Sequence, residues 1–148
     1  MKTTILFYVF TLLAIFSCNN PQKSANQKLE TEMIAVHDEI MPHMGAFNRN
    51  SDQIDSILNN LSEAKAKSSE LDTTQTRKDL LGLKQHILDA NDNMNDWMHK
   101  LNLDFEGKTD EEVKTYLETE LEAIKNIELQ FEKVIKEKES LLDPFLNQ

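Results

Sequence analysis

Apolar residues recur along the first half of the chain at Leu29, Met33, Val36, Ile40, Met44, Phe47, Ile54, Leu58 and Leu61. Steps of three, four and seven are the near-heptad rhythm of a helix that buries one stripe against other helices. The stripe predicts a first helix from about Gln27 to about Glu70, or two helices if the chain breaks near residues 48–52, where polar Ser51 takes a stripe position. The unbroken register favours one long helix. A kink is expected at His37–Met41, because Pro42 removes a backbone donor and crowds the carbonyl of Asp38, and Gly45 loosens the same stretch.

Leu71-Asp72-Thr73-Thr74 reads as a turn, with Thr73 or Thr74 as N-cap of a second helix. Its stripe is Leu80, Leu83, Ile87, Met94, Met98, Leu101 and Phe105, and Asn91 fills the remaining slot. A polar residue in such a seam is expected to fix register or partnering rather than to add stability. Gly107 is expected as the C-cap. Thr109 and Glu112 have capping-box spacing at the start of a third helix, and Asp110 and Glu111 suit the positive end of its dipole. The third stripe is Val113, Leu117, Leu121, Ile124, Ile127, Phe131, Val134 and Leu141, and Pro144 stops it. No segment alternates apolar and polar residues long enough for a half-buried strand. The expected fold is all-α: an up-down-up antiparallel three-helix bundle over residues 27–143, coiled-coil-like, with four helices if the first one breaks. Folding back at 71–74 sets Met98 near Phe47, Leu101 near Met44 and Asp104 near Met41.

The N-terminus follows a different pattern. Lys2 precedes a run from Ile5 to Phe16 that is apolar except for Thr11. These 12 residues fall short of the roughly 20 that span a bilayer core, and they match the apolar region of a signal peptide. Ala14-Ile15-Phe16-Ser17-Cys18 resembles a bacterial lipobox, in which a diacylglycerol is joined to the cysteine before cleavage; Phe16 stands where a small residue is usual. Residues 1–17 thus read as a lipoprotein signal peptide, Cys18 as the lipidation site, and residues 18–26 as the anchor and a polar tether. The alternative is an ordinary secretory signal with a leftover cysteine.

Cleavage takes Lys2 and leaves 131 residues, with 15 basic against 26 acidic side chains and a net charge of about −11. Such a chain repels nucleic-acid phosphates, and no segment carries a basic stripe, so nucleic acid is excluded as a partner. Anionic lipid is disfavoured for the same reason, which leaves the acyl chains to hold the protein at a membrane. With one cysteine, no internal disulfide can form. HExxH, CxxC, CxxCH, P-loop and GxSxG motifs are missing, so zinc peptidase, c-haem, nucleotide hydrolase and α/β-hydrolase chemistry lack support, and no catalytic residue is assigned.

One constellation could carry chemistry. The mature chain has five methionines and four histidines, and eight of these nine lie in residues 33–44 and 94–99. At ~100° per residue, Met33, His37, Met41 and Met44 share an arc of roughly 80° on the first helix. Thioether sulfur and imidazole nitrogen suit Cu(I), and imidazole with carboxylate suits zinc. His37, Met41, Met44, Met94, Met98 and His99 are the candidate ligands of a copper-type or zinc site, and Trp97 could add a cation–π contact. The competing reading is that the methionines are adaptable core filler.

His37-Asp38-Glu39-Ile40-Met41-Pro42-His43-Met44 and Asn91-Asp92-Asn93-Met94-Asn95-Asp96-Trp97-Met98 resemble segments of small helical lipoproteins of Bacteroidota, a group often labelled "viral A-type inclusion protein". The resemblance spans about residues 30–140. It implies an envelope lipoprotein and brings no activity or catalytic residues with it. In that group acidic residues after the cysteine can direct surface export; here Asn19-Asn20-Pro21-Gln22-Lys23 follows, which implies a periplasm-facing anchor. The sequence reading is a lipid-anchored envelope protein with a non-enzymatic structural or interaction domain, whose seam binds a protein partner or a second copy. The alternative is an extracytoplasmic soft-metal binder.

Overall fold

The computed structural model describes residues 20–146, and these are helical with no strand among them. The elements are α1 (Pro21–Asn59), α2 (Leu61–Lys67), α3 (Thr73–Lys100), α4 (Asp110–Leu141) and α5 (Asp143–Leu146).

α1 begins six residues ahead of the start that the apolar stripe implies. Proline at the first helical position brings a preset φ and lacks only an N–H that would be orphaned anyway. Asn20 caps the helix by accepting from the Gln22 N–H at 3.0 Å. The polar residues 21–26 are therefore the first turns of α1 rather than a tether, and Asn26 is already buried. α1 then runs through Pro42 and through residues 48–52 without a break.

The interruption comes at Asn60 instead. Its Nδ2 donates to the Ser56 carbonyl at 2.8 Å, taking an acceptor that the next helical turn would use. α2 resumes for two turns and ends at extended Ser68. Lys65 Nζ donates to the carbonyls of Ser69 and Leu71 and gathers the 68–72 connection. The cap of α3 is Asp72, which accepts from the N–H groups of both Thr74 and Gln75. Both bonds end on Asp72 Oδ1, a charged acceptor that favours the positive end of the helix dipole more than a threonine hydroxyl does. α3 stops at Lys100, so Leu101 and Phe105 belong to a loop, and Gly107 supplies its positive φ of 77° inside that loop rather than a C-cap. The capping box of α4 forms as its spacing implies.

The core is laid out by α1. Met33, Ile40, Phe47 and Ile54, each seven residues apart, are at most 2% exposed. Leu80, Leu83, Ile87 and Met94 meet them from α3, and Leu117, Ile124, Phe131 and Val134 from α4. Burying each of these side chains contributes about 1.5–3 kcal/mol. The rings of Phe47 and Phe131 stack at 5.0 Å and 12°.

Cross-helix pairs set the register. Between α1 and α3 the pairs are Asn48–Asn91 and Asp55–Lys84, so α3 partners fall in number as α1 rises. Between α1 and α4 they are Gln22–Glu111 and Glu32–Lys125, rising together. Between α3 and α4 they are His86–Glu137 and Asn93–Gln130. Asn48 meets Asn91, not the neighbourhood of Trp97 that a fold-back at 71–74 implies. The offset is about six residues, roughly 9 Å of helix. It arises because α2 and the 68–72 connection lie between the facing stretches of α1 and α3.

Candidate functional site

The two methionine and histidine windows meet at the α1–α3 seam. The rings of His37 and Trp97 lie 6.1 Å apart at 39°. The rungs Asp55–Lys84 and Asn48–Asn91 are one heptad apart on each helix, and one heptad further the same register sets Met41 opposite Met98. Met44 and Met98 are half-buried against the core, while Met41 is 38% exposed. His37, Met41, Met44 and Met98 thus share one stretch of the seam.

The other two candidates do not join them. Met94 is fully buried with Leu83 and Ile87 and packs as core, as Met33 does. His99 is exposed, and its Nδ1 donates to the Asn95 carbonyl of its own helix at 2.7 Å. His37 Nδ1 pairs with its neighbour Asp38 at 2.9 Å. Of the remaining histidines, His86 is exposed and pairs with Glu137 on α4 at 2.6 Å, and His43 is half-buried. Among the described residues, no three His, Cys, Asp or Glu side chains are grouped to hold a metal ion.

Trp97 is 6% exposed and its Nε1 is buried without an acceptor. An unpaired buried donor costs about 1–3 kcal/mol. The apolar stripe gave no sign of it, because Trp97 sits one residue from the expected position Met98.

A second locus is the end of the molecule where the described chain begins. Cys18 and residues 1–17 lie outside the described residues. Asn20 Nδ2 donates to Asp110 at 2.7 Å, Gln22 Nε2 to Glu111 at 2.6 Å, and Asn26 Nδ2 to the Asp110 carbonyl at 2.8 Å. The cap and first two turns of α1 are thereby tied to the first turn of α4. Residues 101–109 close this end. Asn102 and Asp104 each accept from the amide two residues on, and the Asn102 N–H donates to the Tyr116 hydroxyl. Phe105 packs edge-on to Tyr116 at 5.9 Å. These Asx turns were readable in Asn102-Leu103-Asp104, but the stripe through Leu101 and Phe105 hid them inside an expected helix. Leu103 points outward at 39% exposure.

Glu112 is held below the ordinary carboxylate range, first by the Thr109 backbone N–H and then by the Thr109 hydroxyl. At the opposite end, a groove of about 470 Å³ is lined by Ile57, Asn60, Ala64, Lys67, Leu71 and Phe145. Among the described residues, no helix is long and apolar enough to cross a membrane.

No family model, no curated protein and no solved structure matches this chain.

Proposed function

We propose that this protein is a lipoprotein of the cell envelope, anchored through Cys18 and facing the periplasm, with a non-enzymatic helical domain that binds a partner or supports the envelope. The carrying observation is that α1 starts at Pro21, three residues after the lipobox cysteine, and is tied by Asn20, Gln22 and Asn26 to the start of α4. A fold that begins so close to the anchor suits a domain built to stand at a surface. The opposing numbering of the α1–α3 pairs and the parallel numbering of the α1–α4 pairs support an up-down-up arrangement of α1, α3 and α4. Leu81 and Leu88, exposed two turns apart on α3, are candidates for the contact with a protein partner or second copy. In cell fractionation, residues 18–148 carrying Cys18→Ala, exported behind a signal peptide whose cleavage needs no lipid, should move from the membrane to the soluble fraction while circular dichroism and melting temperature stay the same. Retention in the membrane overturns the proposal.

The second reading is a soft-metal binder. It is favoured by the meeting of His37 and Trp97 and by the register that sets Met41 opposite Met98. His37 engages Nδ1 with an oxygen, an outer hydrogen bond common among metal-ligating histidines, which leaves its Nε2 to bind. Titration with Cu(I) and Zn(II) tests it. Sub-micromolar binding that is lost when Met41, Met44 and Met98 are replaced together supports a metal function; saturation-free titrations leave those methionines as packing.

A further inference from the structure

The end of the fold nearest Cys18 has the length relations, the apolar contact and the charge pattern of a lipid-facing surface. Cys18 and Asn20 are two residues apart, and two extended residues reach about 7 Å. The polar layer of one leaflet is of the same thickness, roughly 5–8 Å. With acyl chains on Cys18, the face carrying Asn20 and the 101–109 loop is brought to the head groups. Asn20 is hydrogen-bonded to Asp110, so the start of α4 comes with it.

The loop on this face is braced. Leu101 and Phe105 pack on the core, Tyr116 holds the Asn102 amide, and Lys108 N–H donates to the Phe105 carbonyl. Between its two half-buried anchors the loop displays Leu103 to the outside. A leucine on a fixed loop loses little conformational freedom when it enters an apolar phase, and the apolar surface it still exposes is taken out of water.

Charge selects the lipid. Asp104, Glu106, Asp110, Glu111 and Glu112 outnumber Lys23 and Lys108 around this end. That excess repels an anionic bilayer. It suits a zwitterionic head group, whose outer ammonium meets carboxylates and whose inner phosphate meets lysines. A groove of about 340 Å³ between α1 and the loop, lined by Lys23, Asn26, Glu30, Phe105, Lys108 and Asp110, offers both charges side by side.

We propose that the face formed by Asn20, Gln22 and residues 101–109 lies on a zwitterionic phospholipid surface, with Leu103 inserted among the head groups. This rests on the anchoring of the chain at Cys18. It gives the domain one orientation, with the break between α1 and α2 and its groove turned away from the membrane.

Hydrogen–deuterium exchange tests it on the lipidated chain in phosphatidylcholine vesicles, against residues 18–148 carrying Cys18→Ala mixed with the same vesicles. Amides of residues 101–109 should exchange several-fold more slowly when the chain is anchored, and those of residues 68–72 at the far end should not change. Leu103→Asp should remove the slowing; because Leu103 is exposed, the variant should keep the melting temperature of the parent. Phosphatidylglycerol vesicles should give weaker protection. Equal exchange of 101–109 in anchored and free chains overturns the proposal, as does protection that is equal or stronger on phosphatidylglycerol. If cells leave Cys18 unacylated, the chain is joined to the vesicles through a maleimide lipid on the Cys18 thiol. The face is then tested even where the anchoring reading has failed.

Discussion

Asn91 on α3 donates its Nδ2 to Asn48 Oδ1 on α1 at 2.9 Å, while its own Oδ1 is buried with no donor. The pair therefore holds a register at the cost of one orphaned acceptor. Asn91→Leu removes both the orphan and the need for a partner, and should stabilise the fold by about 1 kcal/mol, a rise of about 3–5 °C in melting temperature. It should also loosen the specificity of helix pairing, seen as more than one species in sedimentation velocity. Asn48→Ala should act the other way and cost about 1 kcal/mol, because it leaves the Asn91 amide without its acceptor. Thermal or urea denaturation of the two variants decides the matter, and a loss of stability in Asn91→Leu contradicts it.

Phe47 and Phe131 join α1 to α4 at the centre of the core, where both are at most 2% exposed. Either Phe→Ala change should cost about 3–5 kcal/mol through lost burial and a residual cavity. The double variant should lose less than the sum of the two, since each single change already breaks the same stack. Additive losses in urea titrations would show that the stacking adds nothing beyond area.

The Thr109–Glu112 capping box ties α4 stability to pH. Because the Glu112 carboxyl is lowered in the folded protein, its contribution is complete above the ordinary carboxylate value and is lost as the pH falls through the lowered one. Thr109→Ala should bring Glu112 back toward the ordinary range and fray the first turn of α4. Carboxyl titration by NMR reads the shift directly. An unchanged Glu112 in that variant would mean that the box does not set its acidity.

The α1 N-terminal tie gives a local prediction. Asn26→Leu removes the donor to the Asp110 carbonyl together with an Oδ1 that is buried and unpartnered. The two effects oppose each other, so global stability should move by less than about 1 kcal/mol. Amides in the first turn of α4 should nevertheless exchange faster, because the carbonyl of Asp110 loses its cross-helix partner. Unchanged exchange there would show that Asn20 and Gln22 suffice to hold the two helix starts together.

What the sequence made legible follows from what burial enforces. Met33, Ile40, Phe47 and Ile54 are a strict heptad, and their stripe yields α1 because an apolar face must be covered. The Thr109 cap was readable because its partner lies three residues away. Asn60 escaped because the break in α1 depends on which carbonyl a side chain reaches, and asparagine is common throughout this chain. Polar residues 21–26 looked like linker because their contacts, Asn26 to Asp110 above all, are made far along the sequence. For the candidate ligands, helical spacing located His37, Met41, Met44 and Met98 on one seam. It could not separate Met94, which faces the core, from Met98 one turn on, since a small rotation of α3 decides between them.

Intact mass spectrometry of the N-terminal peptide from the membrane fraction tests the central claim most directly. The account predicts a peptide that begins at Cys18, lacks residues 1–17 and carries the mass of a diacylglyceryl group on the cysteine. A peptide with a free Cys18 thiol, or with residues 1–17 still attached, contradicts it.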